Sequence, residues 1–338
     1  MRVIFSTGLA HEMGGGARYA AKLAERFSER GIKCTTVPYT RLELALPIGV
    51  RHVVYLFRVL LPLIGADVVL AFDTWSVGIP SLIAAKILGR PFIVRVGGDF
   101  LWEQYVERTG DMVKLSEFYD TRRDKWNLKE RIVYRGTHFL LKHADVLACN
   151  SRWQIELWRR VYDVPLTQAT VIENEYPARR PSTPPTEKNF VAAGRPMKLK
   201  QEGLLMQIFH ELVKKYDDVS LDLHALPADA HRARIASCYA VVLASVSDVS
   251  PNVIIDAVLY GKPFICTKDT GISERLGNTG IFVDTQDKEA LTRAIESLLD
   301  PKVYADIERR IKAFTFTRDW NAVADDFLKA ITTCVSSR

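Results

Sequence analysis

The stretch ASVSDVSPNVIIDAVLYGKPFICTKDTGISE (residues 244–274) decides the fold. An apolar strand runs into Ser245, and Ser250 is placed to cap a helix whose first residue is Pro251, a favoured helix start. The helix ends near Gly261, and PFICT (263–267) resumes as a strand. The free N–H groups and positive dipole end of such a helix, lying just past a strand, form a ready site for a diphosphate. Asp248 precedes the helix and Asp256 follows eight positions later, inside it. A carboxylate at Asp256 can accept hydrogen bonds from vicinal hydroxyls such as those of a ribose. Taken alone, two aspartates at this spacing read more simply as a cap and a solvated helix residue.

The same alternation extends outward over most of the 338 residues. VIFST (3–7), KCTTVPY, ADVVLAF, PFIVRVG and ADVLACN read as strands, with helices near 15–30, 79–89 and 131–143 between them. Strands alternating with helices predict a mostly parallel sheet covered on both sides. Between Pro165 and Asn189 the chain turns polar and carries five prolines, with one short strand, TVIEN. Alternation then resumes from NFVAAG to GIFVD, followed by helices at 287–299, 302–313 and 319–333. The expected organisation is a lobe over 1–165, a connection over 166–189, a second lobe over 190–313, and a final helix within 314–338 packing back on the first lobe. Ligands of open parallel sheets gather beyond the carboxyl ends of the strands, so functional residues are expected on the turns that follow strands.

The segment 244–274 resembles the donor-binding segment of glycosyltransferase family 4, retaining enzymes with the GT-B fold. The family pattern is Glu, seven residues, Glu, then Ala, two or three residues, Gly-(Lys/Leu)-Pro, and a downstream Gly-x-x-Glu. This chain has Asp248, Asp256, Ala257, Gly261-Lys262-Pro263 and Gly271-Ile272-Ser273-Glu274, with Asp at both acidic positions. FVAAGRPMKLKQEG (190–203) resembles the family's strand, Gly-Arg, four residues and Lys-Gly, with Arg195 and Lys200 at the cationic positions and Gln201 where Gly is usual. The resemblance implies an α/β protein of GT-B type: two Rossmann-like lobes with parallel sheets facing across a cleft, the second lobe compact. It implies that Arg195 and Lys200 stabilise the charge developing on a leaving diphosphate. It implies further that Asp248 contacts the donor sugar, Asp256 holds the ribose, and Ser250, Pro251, Asn252 and Gly271 form the phosphate-binding turn. In the first lobe, GGGARYAAKLAERFSERGIKCTTV (14–37) resembles the family's Gly-rich turn, where Gly15 and Gly16 let the backbone approach a ligand. VRVGGDFLWE (94–103) would place Asp99 at the transferred sugar or acceptor hydroxyl; a helix-capping Asp is the plainer reading. His11, after the first strand, is a further candidate for ligand contact. Between His224 and Val241 the chain is shorter than the family pattern.

The implied activity is retaining, metal-independent transfer of a hexose-type sugar. The donor is a nucleotide sugar (UDP- or GDP-sugar) acting as substrate, with no cofactor, and the acceptor a hydroxyl of a glycan or lipid-linked glycan. A non-catalytic sugar- or nucleotide-binding protein that kept the fold is the alternative. A dinucleotide-dependent oxidoreductase is disfavoured because Tyr19 stands where Gly-x-Gly-x-x-Gly needs its last small residue. Nucleic-acid binding is not supported, since the basic residues are not interleaved with aromatics in a known module.

Residues 1–165 hold 24 Lys and Arg against 17 Asp and Glu, and the remainder 22 against 23, so an anionic partner is expected to meet the first lobe. Arg18, Lys22, Arg26 and Arg30 share one helical face, and the apolar run IGVRHVVYLFRVLLPLI (48–64) puts Arg51 and Arg58 on one stripe. Either this is a core helix beside a solvated basic face, or an interfacial helix whose arginines meet lipid phosphates at an anionic membrane. Five scattered cysteines and the short N-terminal apolar run suggest a cytoplasmic protein with reduced thiols, at the inner face of a membrane if that contact is made.

Overall fold

The computed structural model describes residues 1–8, 15–192 and 196–336. His11 and Arg195 lie outside them. The chain forms two compact units. One comprises 1–101, 124–175 and 319–338, the other 102–123 and 176–318.

The elements begin with β1 (Arg2–Thr7), α1 (Gly15–Glu29), β2 (Lys33–Pro38), α2 (Arg41–Ala45) and α3 (Ile48–Leu63). They continue through β3 (Val68–Ala71), α4 (Gly78–Ile87), β4 (Phe92–Arg95), α5 (Phe100–Thr109), α6 (Leu115–Thr121) and α7 (Leu128–His143). Then come β5 (Val146–Cys149), α8 (Arg152–Tyr162), β6 (Ala169–Val171), β7 (Lys188–Ala192), α9 (Glu202–Leu212) and β8 (Val219–Asp222). After α10 (Ala228–Ser237) and β9 (Ala240–Leu243) follow α11 (Asn252–Leu259), β10 (Phe264–Thr267), α12 (Ser273–Leu276) and β11 (Ile281–Val283). The chain closes with α13 (Lys288–Leu299), α14 (Pro301–Ala313) and α15 (Trp320–Ser336).

The first unit holds a six-stranded sheet in the order β2-β1-β3-β4-β5-β6, and every ladder is parallel. Strands such as VVLA (68–71) and FIVR (92–95) are buried along their whole length, as expected where helices cover both faces. From β2 onward each connection steps across the sheet in one direction, so right-handed crossovers set α3, α4 and α7 on one face. There α4 packs against both neighbours, while α1 packs against α15 on the other face. Tyr19 meets the Trp320 ring at 4.7 Å, and Phe327 joins Phe5, Leu23 and Phe27 in the buried core. Local chemistry sets the helix starts: Asn127 and Glu130 form a reciprocal cap on α7, and Ser151 caps α8.

The second unit holds a five-stranded parallel sheet in the order β11-β10-β9-β7-β8. Its core gathers Phe190, Phe209, Ile254, Phe264 and Ile295. Asp287 and Asp300 cap α13 and α14, the latter with Pro301 in its first turn. All five cysteines are free.

One close approach in this core is specific to glycine. A Cβ on Gly280 would lie 2.2 Å from Cε2 of the fully buried Phe264 ring. Gly280→Ala is therefore expected to lower the stability of the second unit by about 1–3 kcal/mol, read as a lower urea midpoint. An unchanged midpoint would contradict this packing.

Candidate functional site

In the second unit the loops after β7, β9, β10 and β11 meet at the carboxyl edge of the sheet. The loop after β7 passes through a short 3-10 turn, Lys198–Lys200, before α9. Lys200 Nζ lies 3.0 Å from Asp248 Oδ2 in the loop after β9. Both side chains are mostly buried, which screens the pair less than a surface one. The backbone N–H of Val246 donates to Leu199 O at 2.9 Å, so the two loops are joined by main chain as well. Asp248 bridges to Thr270 in parallel fashion, and the Gly271 N–H donates to Val249 O at 3.2 Å. The predicted residues Lys200, Asp248 and Gly271 are thus brought together by one set of loop contacts.

Gln201, at the position where the resemblance expects Gly, adopts a left-handed backbone with φ 53° and ψ 38°. Glycine takes that conformation freely, whereas other residues pay about 1–3 kcal/mol of local strain. Here the side chain offsets it: Gln201 Nε2 donates to Ala244 O at 2.7 Å and to Thr285 O at 3.2 Å. These carbonyls lie just past β9 and β11, so one side chain ties three loops.

The helix after β9 differs from expectation at its start. Pro251 is the cap residue and Asn252 is the first residue of α11, so Ser250 stands one residue before the cap position rather than in it. Proline has no N–H, and fixed φ serves it as well just before the helix as within it. Asp256 faces α10, where Arg232 Nε donates to its Oδ1 at 3.0 Å. No local motif contains Arg232, which lies 24 residues upstream of Asp256 on another helix. Asp222, at the end of β8, accepts from Arg234 and from His224. Although burial works to raise it, these donors hold its carboxyl below the usual range.

Lys262 of the Gly261-Lys262-Pro263 turn is buried, and its Nζ donates to Thr183 O at 2.7 Å. Burial pushes its pKa below the usual lysine range. It ties the Pro-rich segment to the second unit.

A further contributor comes from an unexpected part of the chain. Residues 102–123 belong to the second unit and line the same loop edge. The Leu115 N–H donates to Ser247 Oγ at 2.8 Å, and the Ser116 N–H to Asp269 Oδ2 at 3.3 Å. Ser247 Oγ in turn donates to Asp269. Lys114 Nζ lies 2.5 Å from Asp284 Oδ2, and Gln286 donates to Met112 O. The hydrogen bond and charge of Asp284 hold the Lys114 ammonium above its usual range. Glu107 accepts from the Lys198 N–H at 2.8 Å.

The remaining candidates lie in the first unit. Gly15 and Gly16 are the first two residues of α1, and a Cβ on Gly16 would stand 3.5 Å from Phe72 O, an ordinary contact. Asp99 is buried and directly precedes α5. At the carboxyl ends of β4, β5 and β6 the buried Arg95 donates to Ile172 O at 2.6 Å, to Asn174 Oδ1 at 2.8 Å and to Asn150. Its guanidinium lies 4.8 Å from the Tyr19 ring centroid. Among the described residues no group of three or more His, Cys, Asp or Glu is placed to hold a metal ion.

Gln201 supplies the test of this loop arrangement. Gln201→Ala keeps the strain and loses both hydrogen bonds, whereas Gln201→Gly loses the bonds but relieves the strain. The Ala variant is expected to be the less stable by about 1 kcal/mol, measured by denaturant unfolding. Equal stabilities would contradict the left-handed backbone at this position.

Comparison with known proteins matches residues 190–301, the sheet and helices that carry this site, to the family described as "Glycosyl transferases group 1". No curated protein matches the sequence. Among solved structures, sucrose-phosphate synthase from Thermosynechococcus elongatus is similar with a TM-score of 0.73 at 14% identity, covering 100% of both chains. The lipopolysaccharide outer core galactosyltransferase WaaB in its apo form has a TM-score of 0.64 at 14% identity, over 98% of this chain and 99% of that one. A UDP-N-acetylglucosamine 2-epimerase has a TM-score of 0.62 at 15% identity, over 100% of this chain and 97% of that one. At such identities the likeness shows the fold, which transferases and epimerases share; the family match carries the activity class. The chain is a glycosyltransferase with the two-lobed α/β architecture of the GT-B fold, and its residues 190–301 match the group 1 family.

Proposed function

We propose that the chain is a retaining transferase that moves a hexose-type sugar from a UDP- or GDP-sugar to a hydroxyl of a glycan or lipid-linked glycan. The observation that carries this reading is the Lys200–Asp248 pair at 3.0 Å, held beside the start of α11 within the region matched to the family. Departure of a nucleoside diphosphate develops negative charge on its bridging oxygen. A preorganised cation and helix N–H groups at that place stabilise the charge most where it forms. In this reading Lys200, together with Arg195, neutralises the leaving diphosphate, and no metal ion is required. The backbone at Ser250, Pro251, Asn252 and Gly271 surrounds the phosphates.

Asp248 orients Lys200 and contacts the donor sugar. Asp256 accepts from the ribose hydroxyls, with Arg232 fixing its carboxylate. The acceptor proton passes to the departing diphosphate on the same face of the sugar, so that the configuration at the anomeric carbon is kept. The proposal assigns Asp99 to the transferred sugar or the acceptor hydroxyl, and Gly15 and Gly16 to close backbone approach. Peripheral contact of the basic first lobe with an anionic membrane, at its cytoplasmic side, completes it.

Release of UDP or GDP from a panel of nucleotide sugars, with and without glycan acceptors, tests the proposal. Lys200→Ala with Arg195→Ala, and separately Asp256→Ala, are expected to lower turnover about a hundredfold or more while circular dichroism melts stay near the wild type. Near-normal turnover in these variants would overturn the site assignment.

A further inference from the structure

The basic residues that the sequence offered to a membrane are mostly committed elsewhere. On α1, Lys22 lies 3.5 Å from Glu175 and Arg30 lies 2.9 Å from Asp325 of α15, so this face is packed and paired. On α3, Arg58 turns inward to the buried Glu43 at 2.5 Å and to Pro38 O at 3.0 Å. It cannot lie on an outward stripe that meets phosphates, because its charge neutralises a carboxylate under the helix.

What α3 shows outward is apolar. Its core stripe is Tyr55, Val59 and Leu63, yet Val50, Val53, Phe57, Leu61 and Ile64, spaced by three and four residues, are exposed. Phe57 and Leu61 keep 61% and 73% of their surface in solvent. A helix apolar on both sides is expected inside a protein, not on its surface. The surface continues across the same layer: Ile83 and Ile87 are exposed on α4, and Leu128, Ile132 and Phe139 on α7. Exposed apolar residues on three neighbouring helices point to an interaction site.

The charges on these helices narrow the partner. α3, α4 and α7 contain one acidic residue, Glu130, which is buried as part of the α7 cap. The exposed cations are Lys86 on α4 and Lys129, Arg131, Arg135 and Lys142 on α7. Lys86 and Lys142 have only distant or exposed carboxylate partners, at 4.0 and 3.3 Å, and such surface pairs hold weakly. A second copy of this face would meet it with like charge. No helix among the described residues is long and apolar enough to cross a membrane.

We infer that the outer face of α3, α4 and α7 docks on an anionic lipid bilayer, with the α3 stripe entering the headgroup boundary and the α7 cations meeting lipid phosphates. The inference deepens the membrane contact of the proposed function by giving it a surface, and it does not depend on the donor assignments.

Sedimentation of the full chain with vesicles of phosphatidylcholine, alone or mixed with phosphatidylglycerol, tests it. The wild type is expected to bind the anionic vesicles, and less so in high salt. Phe57→Glu with Leu61→Glu should lower binding about tenfold or more. Lys129→Glu with Arg135→Glu should do the same for anionic vesicles. Both variants should keep the wild-type melt and the wild-type rate of nucleotide release with a soluble acceptor, which separates failure of docking from failure of the transferase reading. Absence of wild-type binding to anionic vesicles, or unchanged binding by both variants, would overturn the inference. So would a wild-type dimer in sedimentation velocity that Phe57→Glu dissociates, since the occupant would then be a second copy.

Discussion

A parallel sheet covered on both faces leaves its polar chemistry one place to go, the loops at its ends. In the second unit that constraint is acute, because β9 and β10 are buried throughout. Charged groups are pushed to the ends of the strands, and at the carboxyl edge a helix start also presents its dipole. The Lys200–Asp248 pair, the Asp248–Thr270 bridge and the double hydrogen bond of Gln201 join the loops after β7, β9, β10 and β11. A cation held this way needs little reorganisation when negative charge develops beside it, which is where electrostatic catalysis gains most.

The same loops are braced from a distance in sequence. Residues 107–116 bring backbone N–H groups to Ser247 and Asp269 and an ammonium to Asp284. Lys262 ties Thr183 of the Pro-rich segment to the base of the lobe. These contacts tie the second unit together across long stretches of sequence. The charge pairs carry pH limits with opposite signs. Asp284 is held below its usual range, so its contribution is lost as acid is added; Lys114 is held above its own, so its contribution is lost at high pH.

Much of this architecture was legible in the residues. Apolar runs such as VVLA and FICT can only be buried strands, and the alternation with helices fixed the class. Asp248, Lys200 and Gly271 were legible because motif spacing placed them on strand-following turns, and the loops do converge there. Arg232 was not, because a cation that reaches Asp256 from α10 leaves no local pattern. The brace at 102–123 was hidden for the same reason, as its partners lie 91 to 174 residues away. The outward stripe of α3 was hidden by its own composition: an all-apolar helix does not reveal which side faces the core. Arg58 looked available to a partner until the fold placed Glu43 beneath it.

The central claim is that the loop edge of the second unit binds a nucleoside diphosphate through Lys200 and Asp256. Isothermal titration of UDP, GDP and ADP into the wild type and into Asp256→Ala tests it most directly. The account predicts that one diphosphate binds the wild type in a one-to-one ratio and that the variant loses about 1–3 kcal/mol of binding free energy, the cost of one charged hydrogen-bonding partner. Equal affinity in the variant, or no binding of any of the three by the wild type, would contradict it.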